Sequence, residues 1–280
     1  MRIVTDSTAD LDAALRAEHG IEMVPLTVHV GDRAFKDGVE IDPDGLWREV
    51  RGSGAHPRTS QPPPGDFEAT YRRLRAEGAE VVSIHISSDL SGTLGSAALA
   101  RESVGGEGIT LVDSRSVSLG LGLIVLEAAR RARGGATLAE IEAYAREASR
   151  RTHILFGVDT LEYLVRNGRI GRAAALLGTL LDLKPVLQIQ DGVVSAADKV
   201  RGRSKVLPRC LERMAERVRP GSRVRMAVLH VQAPDEAARW LEAFRREYRA
   251  EEVHVGPVGP VVAVHVGPGT VGIVLQEIFD

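Results

Sequence analysis

Three stretches of the 280-residue chain carry hydroxyls or an imidazole where a ligand could use them. The first, "HPRTSQPPPGDF" (56–67), sets Thr59 and Ser60 ahead of Pro62, Pro63 and Pro64. Proline lacks a backbone N–H, so this run neither extends a helix nor feeds a central sheet ladder, and it stiffens the loop. Asp66 is suited to cap the helix that follows, which leaves the two hydroxyls for another task, such as donating to a carboxylate. A stiff surface loop with no ligand accounts for the same residues equally well. The second stretch, "ISSDLSGTLGSAALA" (86–100), ends a strand, gathers Ser87, Ser88, Ser91 and Thr93, and opens an Ala-rich helix with Ser91 at the expected N-cap. The first amides of a helix have no internal partner and its dipole is positive there, so such a terminus either takes a serine cap or receives an anion. The third, "VAVHVGPGTVGI" (262–273), carries His265 near the end of an apolar segment that reads as a strand. Imidazole can hydrogen-bond an anion, exchange a proton or bind a metal, though a lone strand histidine is more often structural.

A metal site is not expected. His85, His230, His254 and His265 lie on separate segments without ligand spacing, and the single cysteine, Cys210, makes no zinc cluster. Asp6 and Asp113 follow strands, and loop capping or Arg pairing is their expected use rather than magnesium binding. The basic stretches "RNGRIGRA" (166–173) and "KVRGRSK" (199–205) offer Arg166, Arg169, Arg172, Arg201 and Arg203 to a phosphate or an acidic partner, or simply to solvent. No G-x-x-x-x-G-K-[ST] occurs, no G-x-G-x-x-G opens a helix, and no G-x-S-x-G elbow frames a serine.

Composition bounds the rest. The formal net charge of −2 gives no global attraction to nucleic acid or to an anionic membrane. One cysteine excludes an internal disulfide and fits a reducing compartment. The most apolar stretch, "SVSLGLGLIVLEAA", is too short for a membrane span, and the N-terminus shows no apolar signal core, so a cytoplasmic protein is expected. Of 36 basic residues only four are Lys, a bias that genome composition explains as readily as bidentate recognition does.

The elements that must position these residues alternate. "RIVTDS", "EVVSIHIS" and "GITLVDS" read as strands with helices between them, which argues for an α/β sheet covered by helices over residues 1–150. Gly31-Asp32 and Asp191-Gly192 are hairpin signals. Residues 151–280 form a second α/β domain, whose end, "EVHVGPVGPVVAVHVGPGTVGIVLQ", reads as strand material with Gly-Pro turns. The segments "GLGLIVL" (120–126) and "AAALLGTLL" (173–181) are apolar enough to be core or to wall a tunnel.

In order, "VTDSTADL", "TSQPPPGDF", "ISSDLSGTLGSA", "LVDSRSVSLGLG", "LEYLVRNGRIGRA", "KPVLQIQDG" and "HVGPGTVG" resemble the DegV family of fatty-acid-binding proteins over residues 2–278. The resemblance implies a two-domain fold, a Rossmann-like N-terminal α/β domain and a smaller C-terminal α/β domain, with a long-chain fatty acid in a tunnel between them. It implies that Thr59 and Ser91 hold the carboxylate with His265 nearby, and that Ser60, Gly92 and Thr93 support the head-group loops. It further implies a carrier, without catalytic residues or cofactor, that presents the carboxylate to a fatty acid kinase for acyl-phosphate formation. Arg169, Arg172, Arg201 and Arg203 would meet that partner. Two other classes fit the same residues: an acyl hydrolase using Ser91 with His265, and a regulatory protein whose lipid alters partner binding.

Overall fold

The computed structural model describes residues 1–178 and 183–279. They fall into two units, Met1–Arg150 with Gly259–Val261, and Arg151–Val258 with Val262 onward.

The first unit runs β1 (Arg2–Asp6), α1 (Ala13–His19), β2 (Ile21–Val24), β3 (Thr27–Val30), β4 (Arg33–Lys36), α2 (Pro43–Ser53), β5 (Arg58–Ser60), α3 (Pro64–Ala76), β6 (Val81–His85), α4 (Thr93–Ser103), β7 (Ile109–Asp113), α5 (Leu119–Arg133) and α6 (Leu138–Arg150). Its main sheet is parallel, in the order β2-β1-β6-β7. Every residue of the central strand β6 is buried, the polar Ser83 and His85 included, as expected of a strand covered on both faces. Phe67, Tyr71 and Leu74 of α3 and Ala97 and Ala100 of α4 pack on Val4, Val24, Val81 and Ile109. α5 is apolar on all sides along its first half, and Leu119 to Leu126 are all buried. Gly122 lets it approach the loop after β1 so closely that an added Cβ would lie 2.4 Å from the Ala9 carbonyl.

A separate antiparallel sheet, β4-β3-β5, branches off after Pro25. Gly31-Asp32 forms the two-residue turn between Val30 and Arg33. α3 starts at Pro64 with Pro63 as its N-cap, so Asp66 does not cap it. Asp66 sits in the first turn and pairs with Lys36 Nζ at 2.8 Å. Proline suits that first position, since the N–H it lacks would have no partner within the helix.

The second unit runs β8 (Thr152–Gly157), α7 (Glu162–Arg166), a 3-10 turn (Gly171–Leu176), β9 (Leu183–Gln190), β10 (Val193–Arg201), α8 (Val206–Ala215), β11 (Arg223–His230), α9 (Pro234–Glu247), β12 (Arg249–Pro257), α10 (Pro260–Val266, its first two residues counted with the first unit) and β13 (Val271–Glu277). The sheet order is β10-β9-β8-β13-β11-β12, antiparallel except for β11 with β12. Asp191 (φ 52) and Gly192 (φ 80) turn β9 into β10, the left-handed pair that a tight hairpin requires. Trp240, Phe244 and Tyr248 stack at 6.3 and 6.2 Å between centroids, at i, i+4 spacing along the α9 face. With Cys210 and Met214 of α8 they cover the sheet.

Residues 260–266 are helix α10 rather than the strand their β-branched composition suggests. Pro260 opens the helix and Gly267, at φ 76, stops it. A short apolar run does not by itself distinguish the two states.

Candidate functional site

β5 pairs with β3, Thr59 opposite Val28 and Ser60 opposite Thr27. Successive strand residues point to opposite faces, so the two hydroxyls part company. Ser60 is exposed and bonds His29 Nε2 at 2.9 Å, whereas Thr59 is half-buried on the other face. Beyond them Gln61 crosses to the next loop. Its Nε2 donates to Ser96 Oγ of α4 at 3.0 Å, and its Oε1 lies over Gly92, where an added Cβ would fall 2.0 Å away. The "TSQP" and "SGT" loops therefore meet, with Thr59 and Ser91 two residues and one residue from the contact.

The N-cap of α4 is Gly92, not Ser91, and no side-chain cap bond is made from it. Ser91 stands one residue earlier. Its Oγ accepts a long bond from Thr93 N at 3.3 Å and lies 2.8 Å from Thr93 Oγ1. Ser88 does not cap the helix either, since its hydroxyl donates to Asp113 Oδ2 at 2.6 Å. A half-buried hydroxyl thus stands at the positive end of an 11-residue helix, alongside Thr93, which is fully buried.

His265 is half-buried near the C-terminal end of α10, ahead of a turn that the second unit fixes closely. Gly267 packs on the Tyr163 ring, so that a Cβ there would lie 2.3 Å from Cδ2. Asn167 Nδ2 donates to the Val264 carbonyl at 3.1 Å, and Arg203 reaches both Asp159 and the Gly269 carbonyl. Arg203 is therefore committed to the turn. Arg169 donates to the Asn167 carbonyl at 2.9 Å, Arg172 pairs with Asp191 at 3.0 Å, and Arg201 is exposed.

The sequence reading missed a buried polar network in the first unit. Asp6 Oδ2 accepts from His85 Nδ1 at 2.9 Å and from the Ile86 amide at 3.0 Å. Asp6 Oδ1 takes the Thr8 amide at 3.1 Å. His85 Nε2 accepts from Ser83 Oγ at 2.7 Å, which in turn accepts from Tyr71 OH at 2.8 Å, the assignment that satisfies every group. Ser83, His85 and Asp6 have the order and distances of a hydrolytic triad, but all three are at 0% exposure, so no acyl group reaches Ser83. Nothing local links residues 6 and 85; the parallel pairing of β1 with β6 brings them together.

Two further carboxyls, Asp10 and Asp37, are buried in the same unit. Burial pushes Asp10 up to about 8, and the charges of Asp37 and Asp6 add to it against the Ser118 hydroxyl bond. The Gly259 amide is close enough to polarise Asp10 Oδ1 without the alignment of a hydrogen bond. Burial likewise pushes Asp37 up to about 7, against the donors of Ser7 and Val261.

Among the described residues no group of three or more His, Cys, Asp or Glu is arranged to hold a metal, and no helix is long and apolar enough to cross a membrane. Of the proposed tunnel walls, 120–126 is buried within α5. In 173–178 only Ala173 and Leu176 are buried, and 179–181 lie outside the described residues. Two open hollows of 910 and 380 Å³ lie where β1, β6 and β7 begin, lined by Met1, Glu80, Ile109, His19 and Arg133 among others. Ser91, in contrast, follows the other end of β6.

The chain as a whole has counterparts among known proteins. The family model described as "Uncharacterised protein, DegV family" matches residues 1–277. The chain belongs to the DegV family. A DegV domain-containing protein from Deinococcus radiodurans is 40% identical over 276 residues, 99% of this chain and 98% of its own length. Among solved structures, a DegV-family protein from Thermus thermophilus, described as fatty acid binding, superimposes with a TM-score of 0.93 at 40% identity, covering 99% of this chain and 100% of that one. DegV from Bacillus subtilis, described as a fatty acid binding protein, gives 0.90 at 34% identity with 99% of each chain covered. The two-domain α/β architecture expected from the motifs is thus that of the family.

Proposed function

We propose that this chain is a cytoplasmic carrier that binds one long-chain fatty acid, its carboxylate held by the hydroxyls of Thr59 and Ser91, with His265 as the third head-group residue. The observation that carries this reading is the meeting of the "TSQP" and "SGT" loops at Gln61, Gly92 and Ser96. The fatty-acid-binding descriptions of the Thermus thermophilus and Bacillus subtilis relatives support it.

The chemistry suits a lipid acid. An acyl tail contributes about 0.8 kcal/mol per buried methylene, so a dozen or so contribute roughly 10 kcal/mol as an upper bound. Each hydrogen bond to the carboxylate adds on the order of 1.5–3 kcal/mol. The tail sets affinity and the hydroxyls set orientation. Neutral donors also leave the carboxylate more nucleophilic than a buried arginine would. That favours passing the acid to a partner that phosphorylates it, a fatty acid kinase, which supplies the nucleotide site and the catalytic groups. Arg169, Arg172 and Arg201 belong to the surface offered to that partner, with Arg203 contributing mainly through the turn it holds.

The test is uptake of palmitate or oleate by delipidated protein, compared with Thr59→Ala/Ser91→Ala. Tight uptake that the double variant weakens supports the assignment. Undiminished binding by the double variant overturns the head-group residues, and no uptake by either protein overturns the carrier. Turnover of a p-nitrophenyl ester that Ser91→Ala abolishes would instead make the chain a hydrolase.

A further inference from the structure

Gln61 lies on the surface, where a glutamine ordinarily keeps its rotamer freedom, yet its amide is hydrogen-bonded at one end and packed on backbone at the other. Nε2 donates to Ser96 Oγ at 3.0 Å, and Ser96 is itself buried in the first turn of α4. The amide packs against Gly92 with its oxygen nearest, where an added Cβ would meet Oε1 at 2.0 Å, Cδ at 2.7 Å and Nε2 at 2.9 Å. Only a residue without a side chain lets the amide rest there. One neutral hydrogen bond barely offsets the freedom that an immobilised glutamine loses, so the contact adds little to stability. What it does fix is spacing. β5 belongs to the small sheet and α4 to the main one, so no backbone ladder sets the distance between the two loops.

We propose that Gln61 is a positioning residue that locks the loop of Thr59 to the loop of Ser91 through Ser96 and the bare backbone of Gly92. The two hydroxyls then address the same carboxylate. This deepens the fatty-acid reading and rests on it. Gln61 need not touch the ligand; it holds the two donors that do. Loss of the bridge leaves each loop intact on its own sheet but frees their separation.

The experiment loads delipidated protein with [1-¹³C]palmitate and records the carboxyl resonance, palmitate affinity and melting temperature. The variants are Gln61→Ala, Gln61→Met, Ser96→Ala and Gln61→Ala/Ser96→Ala. Wild type gives one sharp bound resonance. Gln61→Ala and Ser96→Ala each shift or broaden it and weaken palmitate about threefold to tenfold, the loss expected of one hydrogen bond. The double variant is no worse than either single one, and Gln61→Met, similar in length but without the amide, behaves like Gln61→Ala. Melting temperatures stay close to wild type. An unchanged resonance and affinity in Gln61→Ala overturns the positioning role while leaving the carrier standing, and so do losses from Gln61 and Ser96 that simply add. Absence of any bound carboxyl resonance in wild type overturns the fatty-acid reading itself.

Discussion

Ser118 donates its hydroxyl proton to Asp10 Oδ2 at 2.5 Å, and both residues hold a positive φ, 55 and 52, Asp10 in the left-handed helical region and Ser118 with ψ at −147. Few non-glycine residues adopt a positive φ, and two joined by one hydrogen bond between the loops after β1 and β7 make a constrained junction. Asp10, pushed up to about 8 by burial, holds its proton in the folded chain at pH values where the unfolded chain has lost it. Asp37, pushed up to about 7, does the same over a narrower window. Stability from these groups is therefore present at pH 4 and is lost as pH rises through 7 and 8. Denaturant melts at pH 5, 7 and 9 should show this decline, worth a few kcal/mol at most for Asp10. Asp10→Asn should flatten the upper part of the curve, and a wild-type curve that rises over this range contradicts the assignment.

The Asp6–His85–Ser83–Tyr71 chain predicts an uneven response to mutation. Asp6→Ala strands the His85 imidazole and the Thr8 and Ile86 amides in a fully buried site, and should cost roughly 3–5 kcal/mol. Tyr71→Phe removes one hydroxyl at the far end of the chain and should cost about 1 kcal/mol. Equal losses in chemical denaturation would show that the network is not organised around Asp6.

Gly267→Ala faces two obstacles at once, a left-handed φ of 76 and the Tyr163 ring 2.3 Å from the added Cβ. The backbone alone accounts for about 1–2 kcal/mol, and the ring contact adds overpacking. A lowered melting temperature together with weaker palmitate binding is expected, because the turn follows His265 directly. A neutral substitution contradicts the packing described here.

Arg203 and Arg201 should separate structure from docking. Arg203→Ala releases Asp159 and the Gly269 carbonyl, so it should lower stability and fatty acid loading in the isolated protein. Arg201→Glu, at an exposed position, should leave both unchanged and weaken only phosphorylation of the bound acid by a partner kinase. Identical behaviour of the two variants in thermal melts contradicts this division.

The strands of the parallel sheet and the Asp191-Gly192 hairpin are legible in the sequence because each rests on a local signal, a short run rich in β-branched residues or a favoured turn dipeptide. The helix at 260–266 is not, since its β-branched residues satisfy either state and only Pro260 and Gly267 decide it. The motif glycines are visible as letters, but the reason for Gly92 is Gln61, thirty-one residues upstream, and no local pattern encodes that contact. The Asp6–His85 pair is hidden in the same way, because it depends on strand pairing across 79 residues. Contacts across loops leave no local pattern, and even local caps can be misplaced by a residue or more, as Asp66 and Ser91 are.

The most direct test of the carrier is the mass of what the protein holds. Chain purified from cells without added lipid, denatured and extracted, should release long-chain fatty acid at close to one molecule per chain by mass spectrometry, and Thr59→Ala/Ser91→Ala should release much less. Protein that emerges empty, and stays empty after incubation with palmitate and oleate, contradicts the account.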